Sequence, residues 1–247
     1  GASGADSSGN GNTMAVSGTL TNNKDNPDNN FCALNPLDNY YASITYTNGN
    51  TTATSSTPYG YSRATIGLAT GKWYWEVKAT TISAPDYITG IASTMSTSAT
   101  VWPGQNAGSY GYNATDGKIY NSASGSAYGN TYSAGNIIGV YLDLDNSKLY
   151  FAINGTLQNS GTGHSITAVG STNNGVYAPT AGVWTATTGT VADFNFGNGY
   201  FGTTAVSSAV ADAGGIGAFE YDPSAGTFDG SSKDFRAICT NNLATYG

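Results

Sequence analysis

The clearest pattern in the chain lies in "NIIGVYLDLDNSKLYFAINGT", Asn136 to Thr156, where two runs of alternating positions flank a turn. Val140, Leu142 and Leu144 alternate with Tyr141, Asp143 and Asp145, and Leu149, Phe151 and Ile153 repeat the rhythm after "DNSK". A period of two puts each set on its own face of a strand, so the segment predicts a hairpin with one buried face on each arm. "ATGKWYWEVKAT", Ala69 to Thr80, predicts another strand: Trp73, Trp75 and Val77 point one way, Tyr74, Glu76 and Lys78 the other. One face is apolar and the other mixed, as in a half-buried antiparallel strand whose indoles anchor a core.

Short β-like runs recur between turn signals from about residue 41, among them "YASITYT", "YSRATIGLA", "DYITGIAST", "SYGYNAT", "GKIYNS", "GVYAPTAGVW" and "TVADFNFG". This spacing is that of an all-β sandwich. Residues 1–40 read as an extended, polar N-terminal arm, 41–200 as the sandwich, and 201–247 as a long loop that returns to it and ends in a strand. In the arm, "TMAVSGTLT" alternates like a strand, yet Met14, Val16 and Leu20 are too few to offset the cost of ordering it alone. The arm is therefore expected either to fold back on its own sandwich or to add to an open sheet edge of another copy, a head-to-tail contact that closes into a ring or grows into a filament.

Composition narrows the partners. Only 9% of residues are charged, 34 are Gly and 18 are Tyr, a vocabulary of turns and strands. With a net charge of −7 and eight Lys and Arg in all, the chain cannot neutralise a run of phosphates, which argues against nucleic acid. No apolar run reaches the length of a spanning helix, and the N-terminus carries no basic and hydrophobic signal, so membrane insertion is not expected. The first Met is Met14, in a polar stretch, and the chain is expected to be a processed product or part of something longer.

The order of the motifs "GKWYWEV", "ITGIAST", "YGYNATDGKIYN", "GNIIGVYLDLDNSKLYFAING", "YAPTAGVW" and "VADFNFG" resembles the SPRY (B30.2-like) family over about residues 60–200. The resemblance implies a concanavalin-like sandwich of two antiparallel sheets with no catalytic activity, and loops at one end that hold a partner. The flanks "DSSGNGN", "FCALNPLDN" and "FDGSSKDFRAICTNNL" look like the surroundings of SPRY domains in virion and tail-fibre proteins of aquatic bacteriophages. Together these imply a structural and adhesion protein of an extracellular assembly on a virion surface, with copies of itself and a host-surface glycan or protein as partners. A free, lectin-like carbohydrate-binding module is the alternative.

Candidate chemistry is sparse. His164, in "GTGHSIT", has no nucleophile motif beside it and reads as a solvated loop histidine. Glu76 and Glu220 are the only Glu residues, and neither sits in a recognisable glycosidase setting. "DLDNS" copies the start of a calcium loop, but Lys148 stands where that loop needs Gly and Asn154 where it needs Glu, so a hairpin turn is expected and no cofactor or metal is assigned. Calcium bound by the oxygen-rich "NNKDNPDNN" is the weaker alternative to a solvated loop. Tyr59, Tyr61, Tyr87, Trp102, Tyr110, Tyr112, Tyr128 and Tyr132 cluster in or beside predicted loops, where aromatic side chains either anchor a ligand or pack beneath the loops. Sequons at Asn50, Asn113 and Asn154 fall in predicted turns where a glycan would fit. Cys32 and Cys239 lie in similarly patterned flanking segments, expected to pair as neighbouring strands and to hold either a disulfide or two buried thiols.

Overall fold

The computed structural model describes residues 5–6, 8–18, 24–38, 44–83, 87–94, 100–184 and 189–247. The expected boundary between arm and sandwich near residue 40, and Leu20 of the arm, lie outside the described residues. Strands follow in the order β1 (Ile44–Thr47), β2 (Thr52–Ser55), β3 (Tyr61–Arg63), β4 (Lys72–Thr81), β5 (Tyr87–Ala92), β6 (Ser109–Asn113), β7 (Lys118–Asn121) and β8 (Ser124–Ala127). Then come β9 (Ile137–Asp143), β10 (Lys148–Ile153), β11 (Thr156–Leu157), β12 (His164–Ser165), β13 (Ala178–Val183), β14 (Thr190–Asn195), β15 (Tyr200–Phe201), β16 (Thr204–Ala205) and β17 (Arg236–Ala237). The expected final strand is present as the short β17, and helix α1 (Thr240–Tyr246) follows it.

One sheet runs β1-β2-β14-β4-β9-β10-β11, with β12 beside β10 and β17 beside β4; a second runs β3-β13-β5-β6-β7-β8. The sheets face each other. Trp73, Trp75, Val77, Val140, Leu142, Leu149 and Phe151 from the first interlock with Tyr87, Ile91, Tyr110, Tyr112, Ile119, Ala181 and Val183 from the second. The expected hairpin is β9–β10, in register from Asp143 opposite Lys148 to Ile138 opposite Ile153. Leu144 is buried in its turn, and Ile153 packs half-buried against the core. Within that turn, Asp143 accepts hydrogen bonds from the Asn146 backbone and side-chain amides and from the Ser231 hydroxyl.

The outer face of the first sheet departs from expectation. Tyr74 and Glu76 are as fully buried as Trp73 and Trp75. On this face Tyr74, Tyr141, Tyr150 and Ala152 form a second core with Phe219, Phe228, Phe235 and Ala237 of the C-terminal segment. Phe219 meets Tyr74 edge-on at 4.8 Å, and Phe228 and Phe235 meet Tyr141 at 5.0 and 5.1 Å. Full burial of side chains of this size stabilises by roughly 1.5–3 kcal/mol each. Strand β17 runs parallel to β4 opposite Trp73 and Tyr74, using the stretch of that edge that β14, ending opposite Glu76, leaves open.

The flanking segments do pair: Phe31 bridges Cys239, and the Cys32 N–H bonds the Ile238 carbonyl at 2.9 Å. The disulfide does not follow, because the two thiols belong to different cores. Cys32 lies between the sheets, Cys239 in the outer cluster, and both are free. Burial pushes the Cys32 thiol up to about 11.

Candidate functional site

Strand β13 explains why an indole faces solvent. Ala181 and Val183 point into the core, so Gly182 and Trp184 fall on the outer side of the second sheet. Gly182 and Gly111 leave room for Pro103, ahead of β6, on that face: a Cβ at Gly182 would sit 2.9 Å from the Pro103 ring, and one at Gly111 2.6 Å from the Pro103 carbonyl oxygen. Val101, two residues earlier, packs with Tyr61 and Ala92. Trp102 is thereby delivered against Trp184, the rings stacked at 4.9 Å and 14°, with Tyr120 edge-on to Trp102 at 5.3 Å. The Tyr120 hydroxyl donates to Asp116 at 2.8 Å. Trp102 is buried by this stack, whereas Trp184 stays 36% exposed. Beside them Gly60 accepts the Val183 N–H at 2.9 Å, and the preceding residue, Tyr59, is half-buried and held at φ 61°.

Most of the aromatic residues singled out from the sequence do other work. Tyr61, Tyr87, Tyr110, Tyr112, Tyr128 and Tyr132 are buried, since the alternation of β5 and β6 turns Tyr87, Tyr110 and Tyr112 inward and the 128–136 loop folds over them. Tyr132 donates to the Tyr112 carbonyl at 2.9 Å, Tyr112 to the Asn130 carbonyl, and the Tyr128 hydroxyl accepts the Phe151 N–H at 3.2 Å. Burial raises the phenol pKa of Tyr87, Tyr112 and Tyr128. Of the eight, Trp102 is the one in the stack with Trp184, and Tyr59 is half-buried in the turn before β3. Trp184 was missed, although carrying the alternation of "TAGVW" one residue past Val183 places it outside.

The remaining candidates are also relocated. His164 is on β12, half-buried against Tyr110 at 5.8 Å, and burial lowers its pKa; it is not a solvated loop residue. Glu76 accepts hydrogen bonds from Tyr74, Asn195 and the backbone N–H groups of Glu220 and Tyr221, and burial raises its pKa to about 7. The Glu220 carboxylate is held by the N–H and hydroxyl of Ser207. Asn113 is buried on β6, its side-chain oxygen accepting the Thr115 N–H, so it is not in an accessible turn; Asn154 is exposed in the turn after β10, and Asn50 is partly exposed in the turn between β1 and β2. Among the described residues no three His, Cys, Asp or Glu side chains group as metal ligands.

The two sheets thus form a sandwich that carries an aromatic stack on the outer face of the second sheet. The chain belongs to the SPRY domain family, whose model matches residues 72–198, just over half of its length; SPRY domains mediate protein–protein interaction. It is 31% identical over 137 residues to Ran-binding protein 9 of Xenopus tropicalis, covering 55% of this chain and 23% of that protein. It is 32% identical over 133 residues to human Ran-binding protein 9 (53% and 17%) and 31% identical over 133 residues to Ran-binding protein 10 of Danio rerio (53% and 20%). The chain thus spans less than a quarter of the length of these relatives. The SPRY domain of human HERC1 superposes with a TM-score of 0.53 at 15% identity, over 66% of this chain and 96% of that one, a likeness of fold.

Proposed function

We propose that this chain is a non-enzymatic recognition module that binds a protein partner through the face built on Trp102 and Trp184. The observation that carries this is an exposed indole stacked on a buried one: the inner ring fixes the outer, so a partner side chain meets a rigid apolar anchor with little entropy left to lose. Peptide-display selection against the full chain, followed by calorimetry, tests it. The selected peptide is expected to bind at least tenfold more weakly to Trp184→Ala while the melting temperature stays within a degree or two. Equal affinity for both proteins would overturn the reading.

A second reading, self-association in an extracellular assembly such as a phage tail fibre or surface filament, draws on the arm. Met14 and Val16 are 75% and 47% exposed, whereas Lys24 is bonded to the Gly217 carbonyl and Asn30 to Thr240. The low-charge, Asn- and Gly-rich composition and the phage-like flanks support the same setting, on a virion surface. Deleting residues 1–23 should convert assemblies seen by light scattering and electron microscopy into folded monomers. Unchanged assemblies would remove the arm from the contact.

A further inference from the structure

A cavity of about 280 Å³ opens at the end of the sandwich where β1 turns into β2 and where the chain leaves β14. Asn48, Thr51, Asn198, Tyr200 and Thr203 line it with two glycines. Its volume is just below the range, about 300–1,000 Å³, usual for small-molecule sites, which suits a ligand of one small ring. Every polar group on this wall is an amide, a hydroxyl or a phenol.

The wall is built rather than incidental. Asn195 accepts the N–H groups of Gly197 and Gly199 at 2.9 and 3.0 Å, clamping the turn on either side of Asn198. Asn198 is 6% exposed, and its side-chain oxygen has no hydrogen-bond partner. That oxygen is closed to solvent, so a molecule in the cavity would meet the rest of the Asn198 side chain rather than this atom. Opposite it, Asn48 donates to the Thr52 hydroxyl at 2.9 Å, and Thr52 donates to Asp193 at 2.5 Å. The other Asp193 oxygen takes the Thr80 hydroxyl at 2.5 Å. The one carboxylate near the wall is therefore engaged at both oxygens, and the lining holds neither an acid for a metal ion or amine nor a cation for a phosphate. Tyr200, on the β15–β16 hairpin, is half-buried at the rim and makes no ring contact with another aromatic residue among those described.

We infer that this cavity is a binding site for a neutral sugar, a single pyranose unit whose hydroxyls meet the Asn48 and Asn198 amides and the Thr203 hydroxyl and whose apolar ring face meets Tyr200; the Thr51 hydroxyl is already bonded to the Asn48 carbonyl at 2.8 Å. Amides and hydroxyls both donate and accept, which matches a ligand carrying several hydroxyl groups and no charge. An aromatic ring beside them suits the C–H face of a pyranose. This rests on the reading of the chain as a binding module but uses a different surface, at the end of the sandwich away from Trp184.

The test is an NMR titration of the full chain with the methyl glycosides of glucose, galactose, mannose and N-acetylglucosamine. At least one of them should transfer saturation and shift the backbone amides of residues 48–51 and 198–203. Tyr200→Ala and Thr203→Val should each weaken it, Tyr200→Ala at least tenfold, with unchanged melting temperature, and Trp184→Ala should leave it unaltered. If no glycoside binds at millimolar concentration, if the shifts fall elsewhere, or if Tyr200→Ala binds as the parent does, the sugar site is refuted. Loss with Trp184→Ala alone would refute it too, placing the sugar on the aromatic face instead.

Discussion

The carboxylate of Glu76 accepts the backbone N–H of Tyr221 at 2.8 Å, joining residues 145 positions apart in the chain. Together with the neighbouring N–H of Glu220, this fastens the C-terminal segment to the centre of the first sheet. Burial raises the Glu76 pKa from 4.5 to about 7 even though four donors surround it. A pKa raised on folding means the folded chain keeps a proton that the unfolded chain releases between those values. The stabilisation is fully present below about pH 4.5, declines as pH rises to about 7 and is level above, a change of about 3 kcal/mol at most. Melts between pH 4 and 8 should show that decline, and Glu76→Gln should flatten it. A decline of equal size in the variant would show that other groups cause it.

Tyr74 and Trp75 point to opposite faces of β4, yet both are wholly buried. Substituting either by Ala is expected to cost about 3–5 kcal/mol in urea unfolding. The mixed pattern "WYWEVK" alone suggests a much smaller loss at Tyr74. A loss at Tyr74 below about 1 kcal/mol would mean that the C-terminal segment does not cover that face in solution.

Ending the chain after Thr203 removes Phe219, Phe228 and Phe235 and uncovers Tyr74, Tyr141 and Tyr150. The truncated protein should bind the dye ANS and melt well below the full chain, because a contiguous aromatic surface is exposed to water. Equal stability and no dye binding would contradict the second core.

The thiols of Cys32 and Cys239 are free although their strands are neighbours. Alkylation in denaturant without reductant should therefore label both, read as two additions by mass spectrometry. An unlabelled protein that takes up label only after reduction would restore the disulfide.

What the sequence determined by itself was set by local periodicity. Val140, Leu142, Leu149 and Phe151 alternate because a strand has period two, so the β9–β10 hairpin and its inward face could be read directly, as could Trp73 and Trp75 on β4. The all-β class followed from the same rhythm, and the order of those segments carried the SPRY resemblance. The tertiary structure alone decided the rest, since burial of an outward residue depends on what distant chain lies over it. Nothing within "WYWEVK" announces that Phe219 will cover Tyr74, or that Tyr221 will bond Glu76. The Phe residues that do so are spaced irregularly, in a segment with no strand or helix period. Tyr87 and Tyr112 looked like loop aromatics because strand ends and loops share Gly, Asn and Ser, and only sheet register turned them inward. The rim of Trp102 and Trp184 joins side chains 82 positions apart, brought together because glycines on β13 and β6, the two strands that flank β5, leave room for Pro103 on that face.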